Sequence, residues 1–155
     1  MQPLNPLLGH RAPKLSPMCL DSRKQQADLE WVLLLEDDPT TSRGLSRWLK
    51  RFVQVETRSA RTVYQAECWL RSMPPPLAVI SDFDLQAGEN GASALKRFRG
   101  AGLTTLALIL TGAPTRARAA LNQVGLDDVP VLSKSAYQSE LQVWLLARRE
   151  RQRSA

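Results

Sequence analysis

Between Leu77 and Leu95 the chain reads LAVISDFDLQAGENGASAL. Leu77-Ala78-Val79-Ile80 has the composition of a strand covered on both faces. Asp82 arrives where such a strand ends, a polar loop containing glycine follows, and Gly91 leads into a helical run. Strands buried on both sides belong to parallel sheets flanked by helices. Ligands of open sheets of this kind gather just outside the carboxyl tips of the strands, so a carboxylate delivered there is a candidate for chemistry.

The same unit recurs along the chain. Val32 to Leu35 is apolar and runs into Glu36-Asp37-Asp38. Pro39 suits a first helical position, with Asp38 as its cap. Leu45, Trp48, Leu49 and Phe52 recur at i, i+3, i+4, i+7, which predicts an amphipathic helix burying all four. Val53 to Thr57 reads as a strand, and Ser59 as the cap of a helix to about Ser72 carrying Val63, Ala66 and Leu70 inward. Pro74-Pro75-Pro76 stops that helix before the central strand. The next helix covers Gly91 to Arg99, with Leu95 and Phe98 inward and Gly100 closing it.

Thr105 to Leu110 is another buried strand, reaching Thr111-Gly112. Pro114 and Thr115 open a helix with Ala117, Ala120, Leu121 and Val124 on one face and Gly125 beyond its end. Val129 to Leu132 is the last strand, ending at Ser133-Lys134. A final helix from about Tyr137 to Arg149 buries Leu141, Trp144 and Leu145. Strand and helix alternate five times, which predicts an α/β fold. Its doubly wound five-stranded parallel sheet has the flavodoxin-like order 2-1-3-4-5, with helices on both faces.

Three segments follow: a flexible N-terminal extension over 1–29, one domain over 30–150, and a basic C-terminal tail over 151–155. The extension holds four of the ten prolines and the only histidine, His10, which has no partner nearby in sequence. Net charge is +6, with Arg148, Arg149, Arg151 and Arg153 clustered at the end. Such a cluster attracts nucleic acid, but no DNA-binding module accompanies it, and cations also suit the C-terminal end of a helix. Nucleic acid is therefore the disfavoured partner. No apolar run approaches the ~18 residues of a membrane span, and the N-terminus lacks the pattern of a secretory signal. Cys19 and Cys68 make neither a disulfide framework nor a metal site. A cytoplasmic location is expected.

In the order 2-1-3-4-5 the tips of strands one, three, four and five neighbour one another. Glu36, Asp37, Asp82, Thr111 and Lys134 then converge on one cleft. Three carboxylates so close would resist ionising together. A divalent cation resolves that, and Mg²⁺ prefers one or two carboxylates, waters and a phosphate oxygen. Lys134 and the Thr111 hydroxyl can each serve a phosphoryl oxygen, and an aspartate can itself be the nucleophile. Singly, each signal has a bland reading as a helix cap, a turn residue or a solvated lysine. Jointly, and in this order, they are specific.

LLLEDDP, VISDFDLQAGENG, LILTG and VLSK resemble the four signature segments of the response-regulator receiver domain of two-component signalling, over roughly residues 30 to 150. The resemblance implies that Asp82 accepts the phosphoryl group, and that Glu36 and Asp37 hold Mg²⁺ with Asp82 and the main-chain carbonyl of Asp84. Thr111 is then the switch hydroxyl and Lys134 the phosphate-binding lysine. The implied partners are a histidine kinase or histidine phosphotransfer protein upstream. Downstream, a protein reads the face of helix four, strand five and helix five; homodimerisation is compatible with both. Activity would be limited to self-phosphorylation and self-dephosphorylation. The loop after Asp82 is one residue longer than is commonest and is similar to that of receivers in hybrid sensor kinases.

Two positions depart from the family pattern. Ser135 stands where proline with a cis bond is usual; a non-proline cis bond costs about 2.5–4 kcal/mol, so a trans bond and a displaced Lys134 are expected. Val131 stands where an aromatic commonly moves with the threonine. Asp84 and Ala113 would flank the phosphoryl group, and an acid at 84 would orient attacking water and shorten the life of an acyl phosphate. Two other readings remain: a receiver-shaped interaction module that is not phosphorylated, and a phosphohydrolase similar to the haloacid-dehalogenase superfamily. Against the hydrolase, that superfamily places further metal-binding acids after the lysine, whereas here the acidic pair precedes the nucleophile.

Overall fold

The computed structural model describes residues 30–155; the N-terminal extension expected over 1–29, with His10 and Cys19, lies outside them. Five strands, β1 (Trp31–Leu35), β2 (Glu56–Ala60), β3 (Ala78–Asp82), β4 (Ala107–Thr111) and β5 (Val131–Ser133), alternate with five α-helices. These are α1 (Pro39–Phe52), α2 (Val63–Ser72), α3 (Gly91–Gly100), α4 (Pro114–Gln123) and α5 (Gln138–Arg153). Every strand pairing is parallel and the order is β2-β1-β3-β4-β5, as expected.

Period-two alternation sorts the side chains of the sheet onto two cores. Trp31, Leu33 and Leu35 of β1, Val79 of β3 and Ile109 of β4 point to one face, where α2, α3 and α4 cover them with Val63, Ala66, Leu95, Phe98, Ala117 and Leu121. Val32, Leu34, Ile80, Leu108 and Leu110 point to the other, beneath Leu45 and Leu49 of α1 and Leu141 and Leu145 of α5. Because β1, β3 and β4 are sandwiched, they are apolar up to the polar residues at the carboxyl ends of β3 and β4.

Local chemistry sets the helix ends. Asp38 caps α1, accepting from the N–H groups of Thr40 and Thr41, and Pro39 follows it. Thr62 caps α2 through the Gln65 N–H, and Asn90 caps α3 through the Ser93 N–H at 2.9 Å.

Several expectations are corrected. The second strand lies three residues later than the alternation of Val53 and Val55 suggested: both valines are buried, but Gln54 between them has φ 59° and turns the chain. Ser59 therefore lies inside β2, and Thr62 is the cap. Phe52 is 49% exposed and not core, while Trp48 is half-buried and meets Phe52 and Tyr137 at ring separations of 5.7 and 6.0 Å. The turn after α3 uses Gly102, at φ 97°, and Gly100 remains helical. α5 continues to Arg153, so most of the basic tail is helix, and Arg149 pairs with Glu30 at 2.6 Å.

Gly91 is where the fold leaves no room. A Cβ there would lie 2.3 Å from the Asp82 carbonyl oxygen, 2.8 Å from Ile109 Cδ1 and 2.9 Å from Ser81 Oγ. The absence of a side chain lets α3 start directly against the end of β3. Gly91→Ala is expected to cost about 1–3 kcal/mol, the usual penalty of overpacking, measured by urea unfolding. Gly44→Ala, in α1 with nothing within 4 Å of the added carbon, should be neutral or stabilising by up to ~1 kcal/mol.

Candidate functional site

The residues singled out in the sequence meet at the carboxyl end of the sheet. β1 ends one residue before Glu36, and the Glu36 N–H bonds the Ala60 carbonyl at 3.0 Å, holding the turn against β2. Glu36 Oε1 accepts the Asp38 N–H at 3.1 Å. Asp82 is the last residue of β3 and Thr111 the last of β4; both are buried. Oxygens of Glu36, Asp37 and Asp82 all lie within 4.8 Å of one another.

Lys134 enters this group. Its Nζ stands 2.8 Å from Glu36 Oε2 and 3.1 Å from Asp82 Oδ2, and its main-chain N–H bonds the Thr111 carbonyl at 2.9 Å. The displacement expected from Ser135 does not occur. No cis peptide bond is present among the described residues. The turn closes instead through Ser133, whose hydroxyl lies 2.8 Å from that of Ser135 and whose carbonyl accepts the Ala136 N–H. Pairing of Ser133 with Thr111 in the ladder aims the next residue at the cleft. Strand register thus does what the proline loop was expected to do.

The charges are unbalanced in a useful way. Each pair of carboxylates at this spacing repels by roughly 3–4 kcal/mol at the effective dielectric near a protein surface, and one ammonium, bonded to two of them, answers a cluster of three. Burial pushes the Glu36 carboxyl above its ordinary range and the Asp82 charge adds to this; bonds from Lys134 and the Asp38 N–H only partly offset it. Burial acts to lower Lys134, but its hydrogen bond to Glu36 and the charges of Glu36 and Asp82 outweigh that and leave it raised. The Lys134 shift reflects the attraction of the paired carboxylates for positive charge, whereas the Glu36 shift reflects chiefly the cost of burying its own charge. The pocket's donor set of three carboxylates suits a hard divalent cation such as Mg²⁺.

Thr111 Oγ1 accepts the Ala113 N–H at 3.0 Å, which ties the hydroxyl to the loop leaving β4. Val131 is half-buried at the sheet edge, with no aromatic ring in its place. The side chain of Asp84, as distinct from its main-chain carbonyl, goes elsewhere. Its carboxylate is absent from the acidic cluster and pairs with the Nη2 of Arg116, from the first turn of α4. Arg116 was not foreseen, and no motif marks it. The available signal was only that helix four starts beside the Thr111 tip. The Arg116 guanidinium also lies 5.2 Å from the ring centre of Phe83, which is buried.

No family model matches the chain, and no curated protein does. Solved structures do. The signal receiver domain of an HD domain-containing protein from Pseudomonas fluorescens Pf-5 is 25% identical, covering 82% of this chain and 99% of that one with a TM-score of 0.69. A response regulator receiver protein from Pseudomonas putida is 20% identical, covering 79% and 98%, TM-score 0.64. The signal receiver domain of a signal transduction histidine kinase from Syntrophus aciditrophicus is 21% identical, covering 77% and 89%, TM-score 0.65. The fold is that of response-regulator receiver domains, the architecture the four sequence segments suggested.

The electrostatics set an expectation for cation binding. Replacing Glu36 or Asp37 with its amide should weaken Mg²⁺ binding at least about tenfold, equivalent to ~1.4 kcal/mol, measured by calorimetric titration. Lys134→Met should strengthen it, because the competing ammonium is gone. Affinity should fall as the pH drops through the Glu36 titration, beginning at a higher pH than for an ordinary carboxylate, since protons then occupy the site.

Proposed function

We propose that the chain is a phosphoacceptor receiver module of a two-component phosphorelay, acting in the cytoplasm. The observation that carries this reading is Lys134 Nζ within hydrogen-bond distance of both Asp82 and Glu36 inside a three-carboxylate cluster. The Thr111 tip completes the pocket from the adjacent strand. A lysine and a hydroxyl flanking one buried carboxylate can receive a phosphoryl group and register its presence.

In this reading an Asp82 oxygen attacks the phosphorus of a phosphohistidine on a histidine kinase or phosphotransfer protein. The P–N bond breaks with its electron pair remaining on the imidazole, and an acyl phosphate forms on Asp82. Glu36, Asp37 and Asp82, with the main-chain carbonyl of Asp84, would hold Mg²⁺. When bound, it neutralises charge on the phosphoryl oxygens. Lys134 leaves its carboxylate partners for a phosphoryl oxygen, and the Thr111 hydroxyl donates to another. Thr111 ends β4 and Lys134 follows β5, beside α4 and α5, so their movement is passed to the face of α4, β5 and α5, where a downstream protein binds. The chain is a signalling module rather than a turnover enzyme. Among the described residues no helix is long and apolar enough to cross a membrane.

Val131, without an aromatic partner for Thr111, favours a second reading in which the module binds its partner without phosphorylation. Labelling separates the two. The wild type, given a small-molecule phosphodonor and Mg²⁺, should take up one acid-stable, base-labile phosphoryl group. Asp82→Asn should take up none, and Lys134→Ala should label at least about tenfold more slowly, ~1.4 kcal/mol in activation free energy. Undiminished labelling of Asp82→Asn refutes the assignment; an unlabelled wild type selects the phosphorylation-independent module.

A further inference from the structure

The side chains beside Asp82 contain a contact that the proposed phosphoryl chemistry does not use. Asp84 and Arg116 are paired across the mouth of the cleft, one on the loop leaving β3 and the other on the first turn of α4. The pair is well exposed, at 62% for Arg116 and 61% for Asp84, and an ion pair so exposed is weak by itself. Its direction is fixed by what lies around it. The Arg116 guanidinium rests 5.2 Å from the centre of the Phe83 ring, a geometry that attracts a cation. Phe83 is only 5% exposed and belongs to the core, so the ring is an immobile platform. The loop backbone is equally constrained: Asp84 bridges to Asn90, Asn90 caps α3, and the Gly91 N–H bonds the Phe83 carbonyl at 2.8 Å. With backbone and platform both held, the Asp84 carboxylate points to α4 and not into the acidic cluster.

We propose that Arg116 is a positioning residue that withholds the Asp84 carboxylate from the phosphorylated site and thereby prolongs the life of the acyl phosphate. This inference rests on Asp82 being the phosphoacceptor. In hydrolysis a water oxygen bonds to phosphorus, and the P–O bond to Asp82 breaks with its electron pair returning to the Asp82 carboxylate. One water proton must leave. A free Asp84 carboxylate, two residues from the reacting group, is placed to accept that proton and to orient the water. Paired with Arg116 it does neither, and the proton passes to bulk water. The contact thus reverses the expectation that an acid at position 84 makes the acyl phosphate short-lived. The weakness of the pair matters too: any partner offering Arg116 a better anion would release Asp84 and hasten dephosphorylation.

The test is the first-order loss of phosphate from the full chain, labelled by a small phosphodonor with Mg²⁺ and then freed of donor. Arg116→Ala should lose phosphate about tenfold faster than wild type, short of the full contribution of a buried general base because Asp84 stays exposed. Arg116→Lys should lie between the two, since it keeps the charge but not the planar contact with Phe83. In an Asp84→Ala background the Arg116→Ala change should have no effect, and both of those chains should hold phosphate at least as long as wild type. Equal lifetimes for wild type and Arg116→Ala overturn the inference, as does acceleration that persists without Asp84. In either of those cases labelling of Asp82 itself stands. A wild type that takes no label overturns the receiver reading, and this inference with it.

Discussion

Crowding of like charge at the tips of neighbouring strands is the constraint on which the site depends. Glu36, Asp37 and Asp82 are brought together because β1 and β3 are adjacent and in register. Their mutual repulsion would be tolerated only with positive charge among them. Lys134 supplies that charge from the turn after β5, two strands away from β3, with its main-chain N–H anchored on the Thr111 carbonyl. The arrangement is electrostatically unbalanced: a single ammonium is shared between Glu36 and Asp82, and Asp37 adds a third carboxylate to the cluster.

The fold around the site is built to hold those tips still. Both faces of β1, β3 and β4 are closed by helices, and Gly91 lets α3 begin against the Asp82 carbonyl. Cores packed to this density do not deform gradually. The two cations lie outside that packing: Lys134 in the turn that follows β5, partly exposed, and Arg116 on the first turn of α4, well exposed. The carboxylates of Glu36 and Asp82 are thus buried at the strand tips, while the cations that answer them reach in from more exposed ground.

How far these features were legible in the sequence follows from burial and distance. The strands sandwiched between two helix layers were readable, since their apolar runs reflect burial on both faces. β2 was not, because an edge strand of sequence ETRSA is largely polar, and the valines before it imitate a strand while they pack beside a turn. Phe52 carried the helical period but sits at the frayed end of α1, where the sheet no longer covers it. The strand-tip rule located Glu36, Asp37, Asp82, Thr111 and Lys134, because strand order alone brings those positions together. Ser135 misled in one respect: it correctly signalled a trans bond, but the lysine is aimed by ladder pairing and not by the isomer of the following bond. Arg116 was invisible because its partner lies 32 residues away on a different element, and no local pattern encodes such a contact.

The most direct test of the account is chemical mapping of the modified residue. After exposure of the wild-type chain to a small phosphodonor, borohydride reduction and peptide mass spectrometry locate any acyl phosphate. The account predicts modification at Asp82 alone, present with Mg²⁺ and lost when the cation is chelated. Modification at another carboxylate, or at Asp82 to the same extent without a divalent cation, would contradict it.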